Sequence, residues 1–151
     1  MAVAFISFGS NLGNRLENIV SAITSLKSKM GIEVREISSI IETESVGAAG
    51  PEYLNGVIKL ETDLSPRDLL SALQGIEDSL GRVRPYRNAP RVIDLDILLY
   101  GDLIVSEPDL IIPHSQIWKR EFILKLLLEI EPNVKKFECL RGKFVVGVSQ
   151  E

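Results

Sequence analysis

Two hydrophobic periodicities alternate along this sequence, and their order constrains the fold more than any other feature. Apolar residues recur at helical spacing from Leu16 to Met30 and again from Leu69 to Leu80. The segments rich in apolar and β-branched residues predict four strands, at 2–8, 33–43, 54–62 and 92–100. The predicted order is therefore β-α-β-β-α-β.

The ends of these helices carry residues that commonly cap helices. Asn14 followed by Glu17 resembles a capping box, which places the start of the first helix there. Ser65 and Pro66 combine a capping serine with a proline at the first helical position, and Gly81 ends the second helix.

Beyond the fourth strand, a proline-rich connector from Pro108 to Pro113 leads to a third predicted helix, near Trp118 to Ile130. A last strand is predicted around Phe144 to Val148. Helices of about 15 residues between the strands of a β-α-β-β-α-β unit are typical of the ferredoxin-like arrangement. We therefore predict an α+β fold of ferredoxin-like type, an antiparallel sheet with the helices packed on one face.

Length and composition limit the class of protein. A chain of 151 residues that is 45% hydrophobic and 25% charged predicts a single domain over residues 1–151. No apolar stretch approaches the ~18 residues of a membrane span, and the N-terminus lacks the basic region of a signal peptide. We expect a cytoplasmic protein with no membrane partner. The single cysteine, Cys139, excludes an internal disulfide framework, and the net charge of −4 argues against a nucleic-acid partner.

Two carboxylates share one face of the predicted strand 92–100. Asp94 and Asp96 point to one side, and the apolar residues Ile93, Leu95, Ile97 and Leu99 point to the other. Aspartates two residues apart on a strand face lie about 7 Å apart at the backbone, so their oxygens can converge on cations. Mg²⁺ typically takes one or two carboxylates with water and substrate phosphates. The alternative is that both aspartates only face solvent.

The segment before this strand is strongly basic. Four arginines fall within ten residues that contain no acid: Arg82, Arg84, Arg87 and Arg91. The planar guanidinium group suits phosphate oxygens, so an arginine loop next to a carboxylate pair indicates a triphosphate site with its metal. Taken alone, the loop is also compatible with a solvated or RNA-binding basic patch. The chain has no P-loop and no kinase signature. His114 is either structural or, beside Lys119 and Arg120, a phosphate contact.

Residues 87–101, RNAPRVIDLDILLYG, closely resemble the signature of the 6-hydroxymethyl-7,8-dihydropterin pyrophosphokinase family of folate biosynthesis. The likeness covers nearly the whole chain. Further motifs that resemble the family follow in the right order: Gly9-Ser10-Asn11-Leu12-Gly13, Tyr53-Leu54-Asn55, Gly81-Arg82-Val83-Arg84 and Pro113-His114.

The resemblance implies a ferredoxin-like fold, ATP and the hydroxymethyl dihydropterin as substrates, and two Mg²⁺ ions bound by Asp94 and Asp96. The pterin hydroxyl would attack the β-phosphorus of ATP, and AMP would leave. The positions that match catalytic residues are Arg82, Arg91, Asp94 and Asp96. Those that match pterin contacts are Thr43, Val46, Tyr53, Asn55, Asp94 and Phe122, with Tyr53 and Phe122 stacking on the ring. Those that match ATP contacts are Gln74, Glu77, Arg82, Arg84, Arg91, Ile97, His114, Lys119 and Arg120.

This sequence departs from the family pattern at a few positions. Asn88 and Ala89 replace a tryptophan and a glycine in an arginine loop that is one residue shorter, Ser45 replaces a proline, and Asp109 stands where an arginine can occur. We expect a monomer with small-molecule partners only. The alternatives are a ferredoxin-like RNA-binding module, a metal-dependent nuclease or other phosphotransferase using the same aspartates, and a catalytically silent relative.

Overall fold

The computed structural model describes residues 1–44, 52–81 and 92–132. Its strands are β1 (Ala2–Ser10), β2 (Ile32–Ile37), β3 (Ile41–Thr43), β4 (Tyr53–Thr62), β5 (Asp94–Tyr100), β6 (Val105–Glu107) and β7 (Leu110–Ile112). Its helices are α1 (Arg15–Ser28), α2 (Pro66–Ser79), α3 (Gln116–Lys119) and α4 (Glu121–Ile130). The last predicted strand, around residues 144–148, lies outside the described ranges. Within those ranges, no helix is long and apolar enough to cross a membrane.

One antiparallel sheet organises the described chain. Its strand order is β2-β4-β1-β5, and the short β3 also pairs with β4. β1 is central, since it pairs along its length with β4 on one side and with β5 on the other. The prediction of a mixed α+β protein with an antiparallel sheet is confirmed.

Helices cover both faces of the sheet. Buried residues of α1 and α2, including Leu26 and Leu73, pack with Ile6 in one core cluster. Buried residues of α4, including Leu127, pack with Phe5 in a second cluster. Phe5 and Ile6 are neighbours in β1 and so point to opposite faces. The prediction that the helices lie on one face is therefore wrong for α4. The second face of the sheet also carries aliphatic and aromatic residues, and the apolar side of α4 covers them.

The predicted helix starts are confirmed by their capping hydrogen bonds. Asn14 Oδ1 accepts from the backbone N–H of Glu17 at 3.0 Å, and Ser65 Oγ accepts from the backbone N–H of Asp68 at 3.1 Å. Each bond satisfies a backbone donor that the first turn of a helix leaves without an intrahelical partner. Both helices therefore begin where the sequence placed them.

The predicted strand 33–43 is divided in the structure. Ser38 is buried between β2 and β3; its backbone N–H donates to the Val57 carbonyl at 2.9 Å, and its Oγ accepts from the Val57 N–H at 2.8 Å. The hydroxyl thus takes the place of a backbone acceptor and interrupts the regular ladder. β3 is consequently a separate three-residue strand beside the start of β4.

The predicted connector between Pro108 and Pro113 is partly a strand. β6 and β7 form a two-stranded hairpin, in which Leu110 and Ile112 of β7 are buried in the first core cluster. A strand of three residues between prolines is too short for a periodic signal, so the sequence did not reveal it. The predicted third helix, near Trp118 to Ile130, is helical in the structure but is divided at Arg120 into the short α3 and the longer α4.

Candidate active site

A pocket of about 430 Å³ opens on the sheet face that carries α4. Because side chains alternate along a strand, β1 presents Ser7 and Gly9 to this face, and β4 and β5 present their own alternate residues on either side. α4 covers the rest of the face, and Ile123 and Leu126 form the pocket wall. The pocket is therefore the uncovered end of a face that is otherwise core.

The predicted carboxylate pair lies in this pocket. Asp94 is half-buried and Asp96 is exposed, whereas Leu95 and Ile97 are buried in the core on the other face. Asp94 is paired with Gly9 and Asp96 with Ser7 across the β1–β5 ladder. The predicted alternation is thus confirmed for the aspartates.

The alternation fails at the end of β5. The β1–β5 register shifts between Phe5 and Ile6, which pair with Leu99 and Ile97. Leu98 is the extra residue of this irregularity, and both Leu98 and Leu99 belong to the second core cluster. The prediction that Leu99 shares a face with Ile97 is therefore wrong, because a bulge reverses the alternation beyond it.

The residues predicted to bind the pterin and described by the structure line the same pocket. Tyr53 and Asn55 come from β4, Thr43 from β3 and Phe122 from α4. Asn55 Nδ2 donates to Thr43 Oγ1 in a short hydrogen bond, which orients the amide. Two aromatic rings and an oriented amide in one concave site suit a flat heteroaromatic ligand.

Gly9 lies beneath this group. A Cβ atom at Gly9 would stand 2.9 Å from Asn55 Oδ1 and 3.2 Å from Tyr53 Cδ1. The first distance is shorter than real Cβ contacts allow, so only glycine leaves Asn55 and Tyr53 where they lie. Gly9 pairs with both Asn55 and Asp94, so the two ends of the pocket are separated by one strand, about 10 Å across two inter-strand spacings.

His114 and Arg120 add basic groups to the pocket lining. The backbone N–H of His114 donates to the Leu98 carbonyl at 2.9 Å, which ties this segment to β5. His114 Nδ1 accepts from the Gln116 N–H at 3.1 Å. Because Nδ1 is the acceptor, the proton of the neutral ring lies on Nε2. The ring can therefore donate a hydrogen bond through Nε2.

Other predicted ATP contacts lie away from the pocket lining. Glu77 of α2 is buried and accepts from the Leu95 N–H at 2.8 Å, and the Ile97 side chain is in the first core cluster. Gln74 and Lys119 are exposed. The remaining predicted site residues fall outside the described ranges: Val46, Arg82, Arg84 and Arg91.

Asp109, one of the departures noted above, is engaged elsewhere. Both of its carboxylate oxygens accept from Arg67 of α2, at 2.7 and 2.8 Å, and Arg67 also donates to Glu107 of β6. The hydrogen bond from Arg67 holds the pKa of the Asp109 carboxyl below its ordinary value. Asp109 therefore joins the β6–β7 hairpin to α2 and does not line the pocket.

Sequence reasoning missed several pocket residues, among them Ser7, Gln116 and the need for a residue without a side chain at Gly9. The available signal was the alternation along β1, since Ser7 and Gly9 flank the buried Phe8. That alternation does not by itself say which face of β1 meets the aspartates. The answer depends on the pairing register between β1 and β5.

Comparison with known proteins identifies the family of this chain. A model of the family described as 7,8-dihydro-6-hydroxymethylpterin-pyrophosphokinase (HPPK) matches residues 5–132. The 2-amino-4-hydroxy-6-hydroxymethyldihydropteridine pyrophosphokinase of Haemophilus influenzae is 40% identical over 131 residues, covering 86% of this chain and 82% of that protein. The folic acid synthesis protein fol1 of Schizosaccharomyces pombe is 43% identical over 133 residues, covering 87% of this chain and 18% of that protein. This chain thus spans only a small part of that longer relative.

Among solved structures, the chain is similar to wild-type HPPK-DHPS of Plasmodium falciparum with SDX-DHP. The TM-score is 0.68 at 16% identity, and the match covers 96% of this chain and 44% of that one. A likeness at this identity shows a shared fold. The family match extends from β1 to the residues that follow α4, and the Haemophilus influenzae pyrophosphokinase is matched over most of its own length. On these grounds the chain belongs to the HPPK family, whose members are transferases.

Proposed function

We propose that this chain transfers a pyrophosphoryl group from ATP to the hydroxyl of 6-hydroxymethyl-7,8-dihydropterin, as a step of folate synthesis. The observation that carries the proposal is the composition of one pocket, in which an aromatic pair with an oriented amide faces a carboxylate pair across β1. A pterin needs the first group, and a metal-bound polyphosphate needs the second.

The pterin lies between Tyr53 and Phe122 in this proposal. Stacking on both faces of a flat ring removes it from water, and the amide of Asn55 supplies polar contacts that fix its orientation. The hydrogen bond between Asn55 and Thr43 holds that amide before the substrate arrives, so less order is lost on binding. The ring is thereby placed with its hydroxymethyl group toward the aspartates.

The donor set at the other end of the pocket fits Mg²⁺. Asp94 and Asp96 provide carboxylate oxygens on one strand face, and Mg²⁺ usually combines one or two carboxylates with water and substrate phosphate oxygens. Bound there, two such ions would neutralise negative charge on the triphosphate. The open side of the pocket leaves the remaining positions to ATP.

Basic groups hold the triphosphate. His114, as an Nε2–H donor, and Arg120 line the pocket and suit phosphate oxygens. We propose that Arg82, Arg84 and Arg91 complete this set, as the family resemblance predicts. Gln74, Glu77, Ile97 and Lys119 stay predictions from that resemblance.

In the reaction, the pterin hydroxyl oxygen forms a bond with the β-phosphorus as the bond from that phosphorus to the oxygen bridging to the α-phosphate breaks. The hydroxyl proton is lost to solvent, and the products are the pterin diphosphate and AMP. The residues of the chain supply positioning and charge neutralisation, which account for most of the rate in phosphoryl transfer. A covalent enzyme intermediate is not needed.

The same proposal includes the type of fold, the oligomeric state and the cellular location of the protein. The strand order is β2-β4-β1-β5, and β2 and β3 follow one another along the same edge of β4. This order supports a ferredoxin-like unit in which β2 and β3 together take the place of one strand. We propose that the chain works as a monomeric, single-domain enzyme in the cytoplasm. α4 covers much of the sheet face that a ferredoxin-like RNA-binding module would need to keep open, which disfavours that alternative.

The test is to incubate the protein with ATP, Mg²⁺ and 6-hydroxymethyl-7,8-dihydropterin and to separate the nucleotides. AMP should form in equal amount to the pterin diphosphate and only when the pterin is present. ADP as the product would contradict pyrophosphoryl transfer, and so would AMP formed at the same rate without pterin. A silent relative would give neither product.

A further inference from the structure

Arg15, the first residue of α1, bridges two segments beside the pterin end of the pocket. Its Nη1 donates to Glu42 Oε2 at 2.8 Å and to the backbone carbonyl oxygen of Glu52 at 2.7 Å. Glu42 is in the middle of β3, and Glu52 immediately precedes β4. One guanidinium group thus connects the middle of β3 to the residue that precedes β4.

Residues that follow these contacts in sequence line the pocket. Thr43 comes directly after Glu42, and Tyr53 comes directly after Glu52; the two are paired across the β3–β4 ladder. β3 has only three residues and, among the described strands, pairs with β4 alone. Such a short edge ladder fixes its strand weakly. Contacts from outside the ladder therefore matter for where Thr43 lies.

Arg15 acts from behind the sheet. Side chains alternate along β3, so Glu42 points away from the pocket face that Thr43 occupies, toward the side where α1 packs. Arg15 does not line the pocket. The Arg15 side chain is 26% exposed and that of Glu42 is 51% exposed. Ion pairs of this kind add little stability, so the main effect of the bridge is on geometry.

We infer that Arg15 is a positioning residue for the pterin, because its bonds to Glu42 and Glu52 set the places of Thr43 and Tyr53. Thr43 in turn orients the Asn55 amide. Loss of the bridge lets β3 move relative to β4, which loosens the pterin end of the pocket and leaves the carboxylate end on β5 unchanged. The inference rests on the proposed function, since it concerns the pterin of that reaction.

Arg35 offers a matched control. Its Nε donates to Glu61 at 3.0 Å and its Nη2 to Glu33 at 3.3 Å, so it ties the edge strand β2 to the far end of β4. Like Arg15, it is an arginine that joins an edge strand to β4, but it lies away from the pocket lining. Arg35→Ala therefore removes a similar bridge at the end of β4 that lies away from the pocket.

The experiment measures KM for the pterin, KM for ATP and kcat in Arg15→Ala, Arg15→Lys and Arg35→Ala. Arg15→Ala should raise KM for the pterin about fivefold and leave KM for ATP within about twofold, as expected for a small displacement of one binding group. Arg15→Lys should recover part of the loss, because an ammonium group reaches one acceptor. Equal KM values for the pterin in Arg15→Ala and Arg35→Ala, or an equal rise in both substrates' KM, would overturn the inference.

A binding measurement separates this inference from the transfer reaction. Pterin fluorescence is titrated in the presence of Mg²⁺ and α,β-methylene ATP, and the Kd of Arg15→Ala should rise by the same factor as its KM. A wild-type protein that binds the pterin but forms no AMP would contradict the reaction alone, whereas one that binds no pterin would overturn both. If circular dichroism shows Arg15→Ala to be unfolded, Glu42→Ala carries the test and should raise the pterin Kd relative to Arg35→Ala.

Discussion

Asp94 and Asp96 show what a residue pattern can predict when the pairing register between strands is unknown. Alternation along the strand placed both carboxylates on one face, and the structure has them lining the pocket. The sequence did not show that Gly9 and Ser7 are their partners across the ladder, because pairing register depends on the whole sheet. A pair of acids therefore predicts a cation site, but its neighbours must be read from the fold.

Replacement of Asp96 tests the metal assignment. Asp96→Ala should lower Mg²⁺-dependent AMP formation by at least about a hundredfold, because charge on the transferred group loses its stabilising partner. Asp96 is exposed, so its replacement removes no core side chain, and circular dichroism should show that the variant is folded. Asp102 is an exposed aspartate in the turn after β5. Its replacement, Asp102→Ala, is the control and should keep full activity. Near-normal turnover in Asp96→Ala would contradict the assignment.

Gly9 gives a second test at this scale. The Cβ atom of Gly9→Ala would push against Asn55 and Tyr53, so KM for the pterin should rise about tenfold. Gly75 of α2 has open space around its missing Cβ; Gly75→Ala should stabilise the helix by about 0.5–1 kcal/mol and leave KM unchanged. A pterin KM that is the same in both variants would show that the space at Gly9 has no role in binding.

At the scale of elements, local signals predicted more than long-range ones. The starts of α1 and α2 followed from Asn14 and Ser65, whose capping bonds involve only the next three residues. The break between β2 and β3 did not follow, because it depends on Ser38 meeting Val57 of a distant strand. Interactions between residues close in sequence leave a pattern, whereas those between distant residues do not.

Glu77 shows how one element can support another. It accepts from the Leu95 N–H of β5, and β5 is the last strand in the described sheet order. An edge strand leaves backbone donors that need partners. Glu77→Ala should therefore lower the free energy of unfolding by about 1–3 kcal/mol, the cost of an unsatisfied buried donor.

Urea denaturation measures this loss, with Asp78→Ala as the control. Asp78 is the exposed neighbour of Glu77 on α2, so its replacement should change stability by less than about 0.5 kcal/mol. Equal urea midpoints for the two variants would contradict a structural role for Glu77. KM for ATP, measured in the same variants, shows whether Glu77 also acts on the nucleotide, as the resemblance predicts.

For the whole molecule, the sheet carries core on both faces, and the pocket is the part of one face that α4 leaves open. The sequence predicted the helix itself but not the face it covers, because its apolar residues fit either face. Tyr53 and Asp94 belong to strands on the two sides of β1. The site therefore exists only when the whole sheet is formed, and ligand binding and folding are linked.

This linkage can be measured by thermal unfolding. A ligand at one hundred times its Kd stabilises the folded state by about 2.7 kcal/mol, which raises the Tm of a chain of this length by roughly 5–10 °C. Mg²⁺ with α,β-methylene ATP should produce such a shift, and the pterin should add to it. Excess EDTA should remove most of the rise in Tm that the nucleotide produces, since the metal and the nucleotide bind together at the carboxylate end of the pocket. Asp96→Ala should show no difference between Mg²⁺ and EDTA; a full Mg²⁺-dependent shift in that variant would place the metal elsewhere.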